Sequence, residues 1–165
     1  MTKPEQTLRA AEGFIGIGMF QDAWDELETL PPTLLAADEV LELRIAIFNG
    51  LEKWGSAREL AESLARRSPE NPGWWLSWAS ALRRERSVEA AQMVLREAAE
   101  IHPGVALVAY NLACYACVLG DMSETKELLS RAIAMDRGCR MVAMKDPDLE
   151  QLWESLGKSP PTITQ

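Results

Sequence analysis

Two cysteines separated by two residues are the first feature of this sequence that could perform chemistry. Cys114-Tyr-Ala-Cys117 has the spacing of redox-active thiol pairs and of one half of a zinc site. A redox pair begins at a helix N-terminus, where the dipole lowers the thiol pKa, whereas helical sequence continues on both sides of this pair. A zinc ion would need two further ligands, for which only Cys139 and His102 are available. We therefore predict neither a metal nor another cofactor. A redox or metal-dependent protein is kept as one alternative function.

No other set of residues indicates catalysis. His102 is the only histidine and has no evident nucleophile beside it, so a catalytic triad is unsupported. Gly13, Gly16 and Gly18 lie in a helical pattern, without the preceding strand that a phosphate-binding glycine loop requires. The sequence also contains many pairs of neighbouring carboxylates, but any helix rich in Glu contains such pairs, so they do not indicate an active site. The sequence predicts a protein that is not an enzyme.

The net charge, the apolar content and the cysteines limit which classes of partner and which cell compartment the sequence predicts. The 165 residues carry 17 Lys and Arg against 25 Asp and Glu, a formal net charge of −8, and residues 1–68 hold 12 of the acids. Such a surface repels phosphate backbones, so no nucleic acid partner is expected. Without a run of about 18 apolar residues or an apolar N-terminal region, we expect no membrane partner and no secretion signal. Three cysteines without framework spacing fit a reducing compartment, which predicts a cytoplasmic protein.

The elements that position these residues follow from an internal repeat. Ala23, Ala57 and Ala91 are 34 residues apart, and one further step reaches Thr125. The same shift aligns three more columns without insertion, namely Phe20, Trp54, Val88 and Met122; Leu27, Ala61, Leu95 and Leu129; and Leu30, Leu64, Ala98 and Ala132. Four columns in register indicate a repeated structural unit.

Within each unit the apolar residues recur every three or four positions, which is the period of an α-helix. The spacing of Ser56 to Glu59 and of Asp121 to Glu124 is that of a capping box, which marks the start of a second helix. The predicted helices are 5–17, 20–30, 38–50, 55–67, 72–84, 88–101, 105–118 and 122–135. They form four helix–turn–helix repeats at about 4–37, 38–71, 72–105 and 106–139.

A helix–turn–helix of 34 residues with small residues at fixed columns resembles the tetratricopeptide repeat (TPR). The small, large and proline columns of that family are matched by Ala11, Ala79, Ala113, Ala23, Ala57, Ala91, Trp75, Phe14, Phe48, Pro69 and Pro103. The likeness covers about residues 4–137 and is most detailed over 110–121, which ends in the family's Gly-Asp turn. The departures are Ile45 at a small column, Arg44 at an apolar one, the early Pro31-Pro32, and Arg137 in place of proline. The resemblance implies an all-α chain folded as a right-handed α-solenoid.

The last repeat requires a closing helix, because its apolar side would otherwise meet water. A capping helix is predicted at about 147–157, with Asp148 as its N-cap and an apolar stripe formed by Leu149, Leu152, Trp153 and Leu156. Residues 158–165 contain two prolines and no periodicity, which predicts a disordered tail. The predicted organisation is one TPR-like domain over residues 1–157.

The resemblance also implies that the first helix of each repeat lines a concave groove that holds a partner. The columns that we assign to this partner-binding groove hold Glu42, Asn49, Leu76, Ser80, Arg83, Arg84, Tyr110, Cys114 and Val118. We expect Asn49 to hydrogen-bond a partner's backbone, and Arg83 with Arg84 to bind a carboxylate. The alternative for these arginines is a solvated helix end whose charge offsets the helix dipole.

Three tryptophans form a cluster on one predicted helix. Trp75 and Trp78 fall at columns that pack between helices in the family, so we predict that both belong to the core, as does Trp54 at a large-residue column. Trp74 is offset from those columns, and we predict that it is partly exposed and contacts a partner.

These features predict a protein–protein interaction module, an adaptor or scaffold that binds a peptide or helix of a partner protein in the groove. One alternative is a small chaperone similar to the class II chaperones of type III secretion. Another is a structural protein that forms a homo-oligomer, with Leu152 and Trp153 in the contact. The carboxylate clamp of family members that bind chaperone tails is not expected, because its Lys, Asn and Arg columns hold Leu8, Glu12, Leu43, Gly73 and Ser77.

Overall fold

A computed structural model describes residues 1–157, and the disordered tail predicted at 158–165 lies outside the described residues. The described part contains ten α-helices and no strand. The helices are α1 (Lys3–Gly16), α2 (Phe20–Glu28), α3 (Asp38–Gly50), α4 (Trp54–Arg67), α5 (Pro72–Glu85), α6 (Val88–Ile101), α7 (Ala106–Val118), α8 (Met122–Met135), α9 (Gly138–Ala143) and α10 (Glu150–Ser155). Short 3₁₀ helices cover Pro32–Leu34 and Pro147–Leu149. Across residues 1–157, no helix combines the length and the apolar content needed to cross a lipid bilayer.

Side-chain caps set the starts of several helices. At α1 the Glu5 amide donates to Thr2 Oγ1 and the Thr2 amide donates to Glu5 Oε2, which is a complete capping box. The box predicted at Asp121 forms only in its first half, because Asp121 Oδ1 accepts the Glu124 amide at 3.0 Å whereas the Glu124 carboxylate accepts from Arg96. The predicted box at Ser56 is wrong. The turn after α3 leads directly into α4 at Trp54, so Ser56 already lies inside the helix.

Small residues let the helices of each repeat approach closely. Seven residues of the two small columns have no exposed surface, namely Ala11, Ala23, Ala57, Ala79, Ala91, Ala113 and Thr125. A larger side chain at these positions would push the two helices apart. Each helix from α1 to α8 packs against the next, so the chain is a right-handed α-solenoid of four 34-residue repeats closed by C-terminal helices. The predicted fold is confirmed.

The tryptophan cluster lies in the core. Trp75 and Trp78 are 3% and 6% exposed, as predicted, and Trp75 Nε1 donates to the Pro69 carbonyl at 3.0 Å. The prediction for Trp74 is wrong, because only 2% of it is exposed and it belongs to the same apolar cluster. α5 packs against both α4 and α6. A residue of α5 outside the columns that face one of these helices can therefore still be buried by the other. Trp54 is half-buried.

Arg44 shows how the second repeat accommodates a charge at an apolar column. Its guanidinium lies 4.9 Å from the centre of the Trp24 ring, and its Nη2 is 2.6 Å from Glu28 Oε1. Both partners belong to α2, which has only 9 residues and ends before Pro31. The shortened α2 therefore packs on α3 partly through Arg44, which stacks on Trp24 and forms an ion pair with Glu28.

Candidate protein-binding groove

The first helices of the four repeats are α1, α3, α5 and α7, and the resemblance assigns the partner-binding groove to them. The nine residues predicted to bind a partner lie on α3, α5 and α7. Their surroundings differ along the array, because the C-terminal segment folds back onto one half of this groove. The predicted groove therefore has an occupied half, formed by Arg83, Tyr110 and Cys114, and an open half toward α3.

Two aspartates of the C-terminal segment hold the occupied half. Arg83 donates from Nη1 and Nη2 to the two carboxylate oxygens of Asp148, at 2.6 and 2.8 Å. The Tyr110 hydroxyl donates to Asp146 Oδ2 at 2.7 Å, and the Cys114 thiol lies 3.6 Å from the same oxygen. A forked guanidinium–carboxylate pair is the strongest and most directional contact that these side chains can make.

Burial and hydrogen bonding together keep the donors of this network protonated. Burial raises the pKa of Tyr110, and the hydrogen bond to Asp146 raises it further. Burial also raises the pKa of the Cys114 thiol, whereas the hydrogen bond to Asp148 is the main cause of the raised pKa of Arg83. At neutral pH the Tyr110 hydroxyl, the Cys114 thiol and the Arg83 guanidinium therefore all keep the proton that points at the two aspartates.

The segment that carries the aspartates is itself anchored in the core. Leu149 and Leu152 are 0% and 2% exposed, and Trp153 Nε1 donates to the Ala143 carbonyl at 3.0 Å. The predicted capping stripe is confirmed at these positions. It ends before Leu156, which is 44% exposed.

The predicted N-cap of the closing helix is wrong. Asp146 Oδ1 accepts the Asp148 amide at 3.0 Å, so Asp146 caps the 3₁₀ turn that precedes α10. Asp148 lies inside this turn, Leu149 occupies the N-cap position of α10, and the Asp148 carboxylate accepts from Arg83 instead.

The predicted groove residues separate into two groups. Arg83, Tyr110 and Cys114 come together on the chain's own aspartates. The remaining six are Glu42, Ser80, Arg84 and Val118, which are exposed, and Asn49 and Leu76, which are half-buried. As contacts of a partner, all nine stay predictions.

The two adjacent arginines take different partners in this structure. Arg83 binds Asp148, whereas the Arg84 guanidinium lies 4.7 Å from the centre of the Trp54 ring. They do not form one carboxylate site here. Asn49 keeps a free acceptor, because its Oδ1 is buried and finds no hydrogen-bond partner within residues 1–157.

Sequence reasoning missed Asp146 and Asp148 as the residues that fill the groove. Both were assigned to a turn and a helix cap, which is the usual role of aspartates around a proline. An arginine in a concave column and two acids in the closing segment were the available signal. Pairing them requires the path of the chain beyond α8, which no repeat pattern predicts.

The cysteine pair does not have the surroundings of a thiolate site. Cys114 and Cys117 are 2% and 0% exposed in the middle of α7, and burial raises the pKa of both thiols. Within residues 1–157, the ligand-type atoms that cluster within 4.8 Å belong to Cys114, Asp146 and Asp148. Since Tyr110 and Arg83 already bind those carboxylates, the cluster is a structural hydrogen-bond network.

The only histidine also has a structural contact. His102 Nε2 lies 2.8 Å from the Pro69 carbonyl, which can only accept, so this nitrogen carries the proton. The same carbonyl accepts from Trp75. One backbone oxygen between α4 and α5 thus ties two successive repeats together.

Comparison with known proteins identifies the fold. No protein-family model and no curated protein matches the sequence. The crystal structure of a thermophilic TPR protein from Thermus thermophilus is similar over 93% of this chain and 83% of that chain, with a TM-score of 0.73 and 20% sequence identity. This similarity shows that the chain has a TPR-like fold, in agreement with the resemblance in the repeat columns.

Proposed function

We propose that this protein is an adaptor that binds an extended or helical segment of a partner protein in its concave groove. Protein–protein interaction is the general role of the TPR-like fold. The observation that carries the proposal is the occupied half of the groove. There a segment of polypeptide already lies against α5 and α7 through Arg83, Tyr110 and Cys114. The concave face thus presents side chains suited to holding a peptide.

The open half is where a partner would bind. Glu42 on α3 and Ser80 on α5 are exposed, and Glu42 forms no ion pair with any described residue. Asn49 adds a buried acceptor without a partner, and Leu76 adds a half-buried apolar side chain. A segment lying across these two helices would pack an apolar residue on Leu76, and it would donate to Asn49 only after the buried oxygen turned outward.

Site-specific cross-linking and charge reversal test this proposal. A photo-cross-linking residue at Ser80 should label a partner from cell extract that the same residue at Glu100 on α6 does not label. With that partner purified, Glu42→Lys should weaken its binding about tenfold, because the substitution reverses the charge of an unpaired carboxylate in the contact. Glu100→Lys is the matched control, since Glu100 is also exposed.

The proposal would be wrong if the partner were labelled equally from both positions and if Glu42→Lys left its affinity unchanged. Those results would place the interface on the second helices. Circular dichroism of each variant would verify that the helical fold is retained.

The two alternatives compare differently with the structure. A small chaperone would use the same groove and would differ only in the partner. A homo-oligomer with Leu152 and Trp153 in the contact would have to draw on side chains that are already 2% exposed and half-buried, respectively. We therefore prefer partner binding in the groove to self-association through Leu152 and Trp153.

A further inference from the structure

α9 presents an unusual outer surface. It buries Cys139 and Ala143, whereas Met141 and Val142 are 63% and 57% exposed. Leu107 of α7, which is 52% exposed, lines a cavity of about 260 Å³ together with Val142. The other lining residues of this cavity are Tyr110, Asp136, Gly138 and Cys139. Two exposed aliphatic side chains, Leu107 and Val142, thus line one depression that is large enough for a side chain, and the exposed Met141 neighbours Val142 on α9.

The segment that forms α9 and the turn after it is basic, in a protein whose net charge is −8. From Arg137 to Lys145 the sequence contains three cations and no acid. Arg137, Arg140 and Lys145 are all exposed, and none forms an ion pair within residues 1–157, although eight arginines elsewhere do. We call Leu107, Arg137, Arg140, Met141, Val142 and Lys145 the α9 surface.

Two carboxylates also flank this segment, since Asp136 lines the cavity and Asp146 lines the depression beside it. Asp136 Oδ1 accepts the Gly138 amide at 2.8 Å, and Asp146 accepts the Tyr110 hydroxyl. A shallow depression lined by Met141, Val142, Lys145 and Asp146 adjoins the cavity through Val142. The surface therefore combines exposed aliphatic area with cations that have no anion of their own.

We propose that the α9 surface binds an acidic segment of a partner protein, with one large apolar side chain in the cavity between α7 and α9. The apolar side chain would cover Leu107 and Val142 and remove their aliphatic surface from water. Flanking Asp or Glu side chains would meet Arg137, Arg140 and Lys145, which gives the site charge selectivity. This site lies apart from the open half of the groove, because Glu42, Asn49 and Ser80 belong to α3 and α5, although Tyr110 of the occupied half also lines the cavity.

An acidic peptide fits this surface better than other anions do. Duplex nucleic acid supplies charge but no flexible aliphatic group for the cavity, and the net charge of −8 opposes an extended polyanion. An anionic membrane would need a longer amphipathic face than the six residues of α9. A second copy of the chain could supply acids from residues 1–68, and the experiment below separates that case.

Selection from a random peptide library displayed on phage tests the proposal. The full-length chain should enrich peptides that carry several Asp or Glu residues beside Leu, Met or Phe. A synthetic peptide of the enriched sequence should bind at least about tenfold more tightly than the same peptide with every acid replaced by Lys. Its affinity should fall as salt rises, since exposed charges take part.

Charge-matched variants locate the site. Arg140→Glu should weaken the selected peptide about tenfold, whereas Lys126→Glu on α8 should leave the affinity within about twofold. Val142→Ser should weaken it by a smaller factor, since it removes aliphatic surface at the cavity. Glu42→Lys should have no effect, which separates this site from the proposed groove. Circular dichroism would show that each variant folds.

Four results would overturn the proposal. The library could enrich no acidic sequences, or Arg140→Glu could bind the selected peptide as the wild type does. Phosphatidylserine vesicles could bind in an Arg140-dependent manner while peptides do not, which would assign the surface to a membrane. Light scattering could reveal a dimer of the chain alone that Arg140→Glu dissociates, which would make the occupant a second copy.

Discussion

At the scale of single residues, Gly50 determines how closely the first two repeats pack. It is the last residue of α3, and a Cβ added there would overlap the ring of Phe20 at the start of α2. Alanine normally stabilises a helix relative to glycine by about 0.5–1 kcal/mol. Here the gain is opposed by the displacement of an aromatic ring that packs on the apolar cluster of the first repeat.

We expect Gly50→Ala to lower the free energy of unfolding by about 1 kcal/mol or more, because overpacking costs about 1–3 kcal/mol. Gly13→Ala in α1 is the matched control, since nothing lies within 4 Å of its added Cβ. That substitution should raise the free energy of unfolding by up to about 1 kcal/mol. Urea denaturation measures both, and equal effects of the two substitutions would contradict the packing argument.

At the scale of elements, the closing segment is held to α5 by one ion pair. The side chains of Arg83 and Asp148 are 30% and 26% exposed, so water screens the pair less than a fully exposed one. The Arg83 guanidinium also lies 5.5 Å from the centre of the Tyr115 ring. This contact joins the third repeat directly to the turn before α10.

A double-mutant cycle of Arg83→Gln and Asp148→Asn should yield a coupling energy of about 1–2 kcal/mol in the free energy of unfolding. The exposed pair Glu127–Arg131 is the control, and Glu127→Gln with Arg131→Gln should couple by less than about 0.5 kcal/mol. A coupling at Arg83 no larger than at the control pair would mean that the ion pair adds nothing beyond the buried leucines and the bonds of Tyr110 and Trp153.

At the scale of the whole molecule, the core has two parts of unequal size. The cluster of the first repeat contains six buried residues, whereas the second cluster runs from α3 to α10. α3 divides between them, with Val40 and Ile47 in the first and Leu41 and Ile45 in the second. In a repeat array each unit is stabilised mainly by its neighbours, so a terminal unit with a small cluster opens most readily.

Hydrogen exchange should therefore be faster in α1 and α2 than in α5–α8. The difference in opening free energy should be about 2 kcal/mol or more, because local opening of α1 and α2 leaves the larger cluster intact. Mass spectrometry of peptides from each helix measures it. Equal protection along the array would show that the four repeats unfold as one unit.

Sequence alone determined the repeat, the helices and the small columns, since these depend on local period and on contacts between neighbouring helices. Even Thr125, at a column otherwise held by alanine, is fully buried as the 34-residue register predicts. Only the tertiary structure decided which residues meet across longer distances. Arg83 and Asp148 are 65 residues apart, and Trp74 is buried by helices on both sides of α5. Such contacts depend on the path of the chain after the last repeat and on packing from two directions, which leave no periodic trace in the sequence.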